Sequence, residues 1–350
     1  MKILLVSTHF TPYKGGLENF VLELATRLSR KDIDVTVVCL NTENVDEYEK
    51  INGVEVYRLL YIELLGGVYS IPRKNKHYDE KIKQLEENKY DIVITNTRFF
   101  YFNFVMMKFA KKCGAKYIHI EHGNTFVKHP NKIVEFGAWC YDQTLGRSIM
   151  RNADVVVGIS QKCCDFATGL GAKNVKLIHN AIDTARFKKV ETDLKRKLGL
   201  HSDDVVITFV GRLIQAKGVH LLIQAIRGQD WKLLIVGKGV YESELKKIAS
   251  ANVHFLGEKN QEEIVEVLSI TDVFVNPSFS EGLPTSVLEA HIVGVPIVAT
   301  DVGGTNEIIN GVLIQPGSAK EITRGILKIL QPKSFDWNDK VEEWENLLRC

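Results

Sequence analysis

The sequence predicts an α/β protein built from two successive doubly wound units. Short apolar runs recur along the chain with amphipathic helical patterns between several of them, the alternation that builds a parallel sheet covered on both faces. That alternation is interrupted once, by the polar stretch DTARFKKVETDLKRKLGLHSDD at 183–204, and then restarts. The length of 350 residues points the same way, since chains of this size commonly divide into domains of roughly 100 to 200 residues.

In order, Ile3 to Val6 reads as the first strand, followed by the loop THFTPYKGG and a helix with Leu17, Phe20, Val21, Leu24, Ala25 and Leu28 on one face. Val35 to Leu40 completes a βαβ unit, and further strands are expected at Asp91 to Thr95, Tyr117 to Ile120, Val155 to Ile159 and Val175 to Ile178. After the polar stretch come Val205 to Val210, a helix from about Gly218, Lys232 to Val236, a helix from about Tyr241, then Val253 to Leu256, Val273 to Val275 and Pro296 to Thr300. The tail places Trp337, Val341, Trp344 and Leu348 on one helical face. The expected division is therefore 1–185, 186–332 and a terminal helix at 333–350. Ligands of such sheets bind at the carboxyl ends of the strands, so the two Rossmann-like domains are expected to face a central cleft.

Composition narrows the function. Hydrophobic content of 45% and charged content of 25% are ordinary for a soluble globular protein. No run approaches the roughly 18 uncharged apolar residues of a spanning helix, and MKILLVSTHF reads as a strand in place of a signal peptide. A cytoplasmic protein is expected, with the inner face of a membrane as its alternative setting. The six cysteines have no metal-ligand spacing and read as reduced structural thiols. A formal charge of +2 argues against nucleic acid as a partner. Residues 1–180 hold 25 Lys and Arg against 20 Asp and Glu, an excess of five positive charges that fits an anionic partner for the first half.

Four places carry candidate chemistry. Gly15 and Gly16 lie between a strand and a helix start, where bare backbone can approach an anion or merely turn tightly. In FVGRLIQAKG, Gly211, Arg212 and Lys217 follow a buried strand; the two cations suit a diphosphate whose charge grows as a bond to it breaks, or are solvated surface groups. In SEGLPTSVLEA, Gly282 and Pro284 keep Glu281 out of a regular helix, while Thr285 or Ser286 can cap the helix that contains Glu289. The two carboxylates then sit on different elements, as acceptors for hydroxyls or as polar trim, and the amides from Gly282 through Leu283 to Thr285 add an anion site. His122, in IEHGN, follows a strand as a structural or functional histidine.

With these motifs in place the chain resembles the retaining GT-B glycosyltransferases of family four (glycosyl transferases group 1). The matching text is PYKGGLENF, IHNAIDTARF, VGRLIQAKG, LLIVGKG and the E-x7-E run continuing into PIVATDVGGTNEII. The resemblance implies an N-terminal acceptor-binding domain, a C-terminal nucleotide-sugar domain and a last helix crossing back to the first. It implies that Arg212 and Lys217 hold the donor diphosphate with Gly16 meeting it, that Glu289 binds the ribose, that Glu281 contacts the transferred sugar, and that His122 lies beside that sugar. Two departures stand out. Leu283-Pro284 replaces the usual F-G, and Asn180-Ala181-Ile182-Asp183 replaces N-G-[IV]-D, so the sugar is not inherited from better-known members.

The implied reaction moves a hexosyl or N-acetylhexosaminyl group from a UDP- or GDP-linked donor to a glycan or lipid-linked acceptor by front-face attack, in envelope polysaccharide or glycolipid synthesis, with no cofactor or metal. The single D-x-D, Asp32-Ile33-Asp34, reads as a solvated turn. Rivals are a nucleotide-sugar epimerase or phosphorylase on the same fold, or an inactive sugar-nucleotide-binding protein. FFYFNFVMMKFAKK at 99–112 offers either a lipid-facing helix with basic flanks or a buried helix of the first domain; the first option is one basis for expecting peripheral membrane contact through that domain.

Overall fold

The computed structural model describes residues 1–13, 15–64, 69–127, 131–309 and 311–330; the terminal helix expected at 333–350 lies outside the described residues. The chain forms two compact units. One comprises Met1–Ile182 with Glu281–Thr285, the other Asp183–Ser280 with the described residues from Ser286 onward.

The first unit holds β1 (Lys2–Val6), α1 (Gly16–Ser29), β2 (Asp34–Leu40), β3 (Tyr48–Ile51), β4 (Val54–Leu59), β5 (Tyr61–Leu64), β6 (Tyr69–Pro72), α2 (Lys76–Glu87), β7 (Ile92–Asn96), α3 (Tyr101–Cys113), β8 (Lys116–Glu121), α4 (Lys132–Tyr141), a π-helical turn at Asp142–Gly146, α5 (Arg147–Asn152), β9 (Val155–Gly158), α6 (Gln161–Gly169) and β10 (Val175–Leu177). Eight of the strands form one sheet in the order β10-β9-β8-β7-β1-β2-β4-β3, parallel except for the β3–β4 pair. The central strand β1, KILLV, is buried after its first residue, as a strand covered by helices on both faces must be. β5 and β6 form a separate antiparallel pair.

Four first-unit strands, β3 to β6, are additional to those expected from the sequence pattern. β3 and β5 keep exposed or half-buried side chains, so neither produces the continuous apolar run that marks a parallel strand. The stretch at 99–112 is settled by α3, whose Phe102, Met106, Met107, Phe109 and Ala110 are buried in the first core. It is a core helix, and its lipid-facing reading is corrected. α3 ends on Gly114 in the left-handed region, with Lys111 and Lys112 in its last turn, a normal helix stop.

The second unit holds α7 (Leu194–Lys197), β11 (Val206–Val210), α8 (Val219–Ala225), β12 (Lys232–Val236), α9 (Glu242–Ile248), β13 (Val253–Gly257), α10 (Gln261–Ser269), β14 (Val273–Asn276), β15 (Ile297–Thr300), α12 (Thr305–Ile308), β16 (Val312–Ile314) and α13 (Ala319–Leu330), while α11 (Thr285–Val293) begins on the last residue grouped with the first unit. Its sheet runs β13-β12-β11-β14-β15-β16, all parallel. β16, three residues long, is the one strand of this unit that the sequence pattern did not mark. Ile207, Phe209, Leu233, Ile235, Val273 and Val275 form the core with α8 and α13.

Candidate active site

In each sheet the strand order reverses at one place, and the crevice outside the carboxyl ends of the two strands flanking it is where open α/β sheets bind ligands. In the second unit the flanking strands are β11 and β14. The loop after β11 carries Gly211, Arg212 and Lys217; the loop after β14 continues through Glu281, Gly282, Leu283 and Pro284 into α11. The Phe279 amide donates to the Ala216 carbonyl at 2.8 Å, so the two loops are joined. Ser278 Oγ donates to Asn276 Oδ1, and Thr300 Oγ1 donates to the Ser278 carbonyl, both at 2.6 Å, which anchors the β14 loop to β15.

The β11 loop is shaped by glycine. Gly218 has φ +66°, and a Cβ there would lie 2.2 Å from the Pro277 carbonyl oxygen. No side chain fits, and the close approach brings the Lys217 turn down onto the β14 loop. Gly237, in LLIVGKG after β12, has φ +129° and would place a Cβ 2.0 Å from the Gly211 carbonyl oxygen. Arg212 is exposed and has no hydrogen bond or ion pair from its side chain among the described residues, while Lys217 is half-buried.

Glu289 lies one turn into α11, and Thr285 is that helix's first residue, not its cap. The Glu289 side chain is half-buried, and no hydrogen bond or ion pair reaches it among the described residues. Desolvation alone pushes its carboxyl up to about 7. A partnerless carboxylate in such a place gains most from a ligand that brings hydroxyl donors.

In the first unit the order reverses at β1 and β7. Gly15 and Gly16 open α1 on the β1 side, and Gly15 gives that helix no side-chain cap. Its first turn already contains the buried Glu18, so an anion at these amides would meet a carboxylate. His122 follows β8, next to β7. Its Nε2 lies 3.2 Å from Asn96 Oδ1, while Asn96 Nδ2 donates to the Val6 carbonyl at 3.0 Å, and Phe20 of α1 meets the ring edge-on at 5.1 Å. Burial, outweighing the field of Glu121, lowers the imidazole to about 4. It is a neutral hydrogen-bonding group at physiological pH.

Next to His122 in the chain, Glu121 belongs to a charged network that no sequence motif marks. Arg98 and Glu121 are buried and paired at 3.0 Å, and Arg98 also grips Asp142 at 3.0 Å. Burial opposes ionisation of Glu121, but Arg98, His119 and the Gly123 amide together hold it down at about 2. The one available signal was a lone charged residue beside each buried strand, in NTRFF and YIHIE. Among the described residues no group of three or more His, Cys, Asp or Glu could hold a metal ion. Asp32 lies in a turn with φ +58°, and Asp34 begins β2, 3.9 Å from Lys2.

Two doubly wound sheets, each with polar groups at its switch point, define a two-domain α/β enzyme of the GT-B kind. Comparison with known proteins specifies it further. The pattern described as Glycosyltransferase Family 4 matches residues 14–186, and that of Glycosyl transferases group 1 matches 190–344. The chain belongs to the group 1 glycosyltransferases. It is 29% identical to an uncharacterised glycosyltransferase of Methanocaldococcus jannaschii over 99% of this chain and 98% of that one. It is 27% identical to a GDP-mannose-dependent phosphatidylinositol monomannoside mannosyltransferase of Corynebacterium glutamicum, over 94% and 88%. Among solved structures, Anabaena HepE in complex with UDP-glucose superposes with a TM-score of 0.74 at 20% identity, over 95% of this chain and 90% of that one.

Proposed function

We propose that this glycosyltransferase moves a hexosyl or N-acetylhexosaminyl group, with retention, from a UDP- or GDP-linked sugar to a glycan or lipid-linked acceptor in envelope polysaccharide or glycolipid synthesis. The observation that carries it is the β11 loop: Gly218 holds Arg212 and Lys217 on one short turn at the switch point, and among the described residues no carboxylate pairs with Arg212. A guanidinium fork and an ammonium there suit a diphosphate. The donor range is supported by the relatives, one named for GDP-mannose and one structure bound to UDP-glucose.

In the proposed step the acceptor hydroxyl oxygen bonds to the anomeric carbon on the face from which the diphosphate leaves. The carbon–oxygen bond to the diphosphate breaks with its electron pair, and the hydroxyl proton passes to a phosphate oxygen. Arg212 and Lys217 neutralise the charge that grows on the leaving group, with no metal required. Glu289 accepts hydrogen bonds from the ribose, Glu281 from hydroxyls of the sugar, Gly282 to Thr285 offer amides to phosphate, and His122 acts as a neutral polar contact. The test is a thermal-shift and hydrolysis screen against UDP-, GDP-, ADP- and CMP-sugars. Selective stabilisation with release of nucleoside diphosphate is expected; no stabilisation by any nucleotide overturns the reading.

A second surface bears on the acceptor. No helix among the described residues is long and apolar enough to cross a membrane. With α3 in the core, one apolar surface among the described residues of the first unit is α4, where Ile133 is 82% and Phe136 64% exposed and Trp139 stacks on Phe136 at 5.9 Å. Between α4 and the loop after His122 lies a cavity of about 600 Å³ lined by Phe126, Phe136, Trp139 and Phe166. Exposed aromatic residues on a short helix suit a lipid interface, and the positive excess of the first half suits an anionic one.

A further inference from the structure

Arg98 spends its guanidinium on three separate pieces of chain. Nε and Nη2 donate to the two oxygens of Asp142 at 3.0 and 3.1 Å, Nη1 donates to Glu121 Oε1 at 3.0 Å, and Nη2 donates to the Thr125 carbonyl at 2.9 Å. Its flat face lies 4.4 Å from the centre of the Phe166 ring. Glu121 and Thr125 bracket His122, and the Gly123 amide closes back onto Glu121 Oε1 at 2.6 Å. We infer that Arg98 is a positioning residue for transfer, its guanidinium fixing the loop that carries His122 against the π-helical turn at Asp142.

Three observations separate this from ordinary core stabilisation. A buried ion triad is a weak source of stability, because desolvation consumes most of the Coulombic gain. Glu121 Oε2 and His119 Nε2, both buried, face each other at 3.6 Å, and neither makes a hydrogen bond among the described residues, an imperfectly satisfied pair that stability alone does not favour. Thr97, just before Arg98, is held at φ +63°, a region costly for a β-branched residue. Asn103 Nδ2 clamps it there, donating to the Asn96 and Thr97 carbonyls at 2.5 and 2.6 Å. The same turn sets Asn96, which meets the His122 ring. Backbone strain, ion triad and amide therefore converge on one imidazole, and a bidentate fork is a requirement that lysine cannot meet.

The inference rests on the reading that His122 serves glycosyl transfer, and its test keeps the two apart. Arg98→Lys and Asp142→Asn are compared with wild type in calorimetric binding of UDP and GDP, in hydrolysis of UDP-glucose and GDP-mannose, and in imidazole resonances of 15N-histidine-labelled protein, with His122 assigned from His122→Ala. For Arg98→Lys, nucleotide affinity should stay within about twofold while kcat per nucleotide-binding site falls about 30- to 100-fold, the scale of a small misplacement, and the His122 resonance moves. Asp142→Asn, which keeps the shape and carries the test if the first variant does not fold, should lose about three- to tenfold and shift the resonance less. A kcat per binding site within threefold of wild type for Arg98→Lys, or an unmoved His122 resonance, overturns the inference, since a merely structural arginine would lower Tm and the competent fraction alone. If wild type binds no nucleotide and cleaves no donor, the glycosyltransfer reading fails, and the resonances still decide whether Arg98 positions His122.

Discussion

The amide of Phe279 donates to the carbonyl of Ala216 at 2.8 Å. That bond joins the loop carrying Arg212 and Lys217 to the loop that follows β14, so within the second unit the two loops share one backbone register. Gly218, against the Pro277 carbonyl, makes the register possible.

The first prediction separates roles within that arrangement. Lys217→Ala should lower kcat by about 10²- to 10³-fold with a small change in donor affinity, because its charge is needed most as the diphosphate leaves. Glu289→Ala should mainly weaken nucleotide binding. Steady-state kinetics with calorimetry decides, and equal effects of both on donor affinity alone would contradict the assignment. Gly218→Ala should damage both parameters, since it displaces the turn.

Glu289 also predicts a pH dependence. Its carboxyl is raised from 4.5 to about 7 by desolvation, so its contribution to folding is fully present below 4.5 and is lost as pH rises to about 7. Glu289→Gln should therefore gain stability over wild type on going from pH 5 to pH 8, by on the order of 1 kcal/mol after allowing for partial exposure. Ribose hydroxyls favour the ionised form, so nucleotide affinity should strengthen by up to about tenfold as pH rises through 7, and Glu289→Gln should abolish that slope. A wild-type Kd that is flat with pH would count against Glu289 as the ribose ligand.

The two chemistries were unequally legible in the sequence. Arg212, Lys217, Glu281 and Glu289 lie in loops and helix starts beside clean apolar strands, where punctuation by Gly and Pro marks each junction. Asn96, Arg98 and Asp142 are polar residues inside or against a core, and what they do depends on contacts across 23 to 90 residues of sequence, which no local period reports. The edge strands escaped for a related reason: β3 owes its conformation to pairing with β4, not to its own half-exposed composition.

His122 makes the opposite prediction to Glu289. Its imidazole is lowered from 6.5 to about 4, chiefly by burial, so its contribution to stability is present above 6.5 and is lost as pH falls toward 4. His122→Gln should flatten the loss of Tm between pH 6.5 and pH 4, and the wild-type pH–rate profile should have no inflection near 6.5 that disappears in this variant. Such an inflection would mean that a charged His122 takes part, contrary to its assignment as a neutral contact.

The last prediction concerns α4. Phe136 and Trp139 are exposed and stacked, and Lys132 pairs with Glu135 at 2.6 Å, so attraction to a bilayer would come from apolar insertion supported by the positive excess of the whole first half. Phosphatidylglycerol-rich vesicles at low salt should retain the protein in co-sedimentation, and its tryptophan emission should shift to shorter wavelength. The double variant Phe136→Glu, Trp139→Glu should weaken retention by about tenfold or more, the scale expected from losing two large buried side chains, while leaving UDP and GDP binding intact. Raising salt should weaken retention only in part, because apolar burial is not screened. A protein that ignores the vesicles, or a double variant that binds them like wild type, would remove α4 as a membrane surface and leave the cavity beside it to be explained by a soluble glycan acceptor.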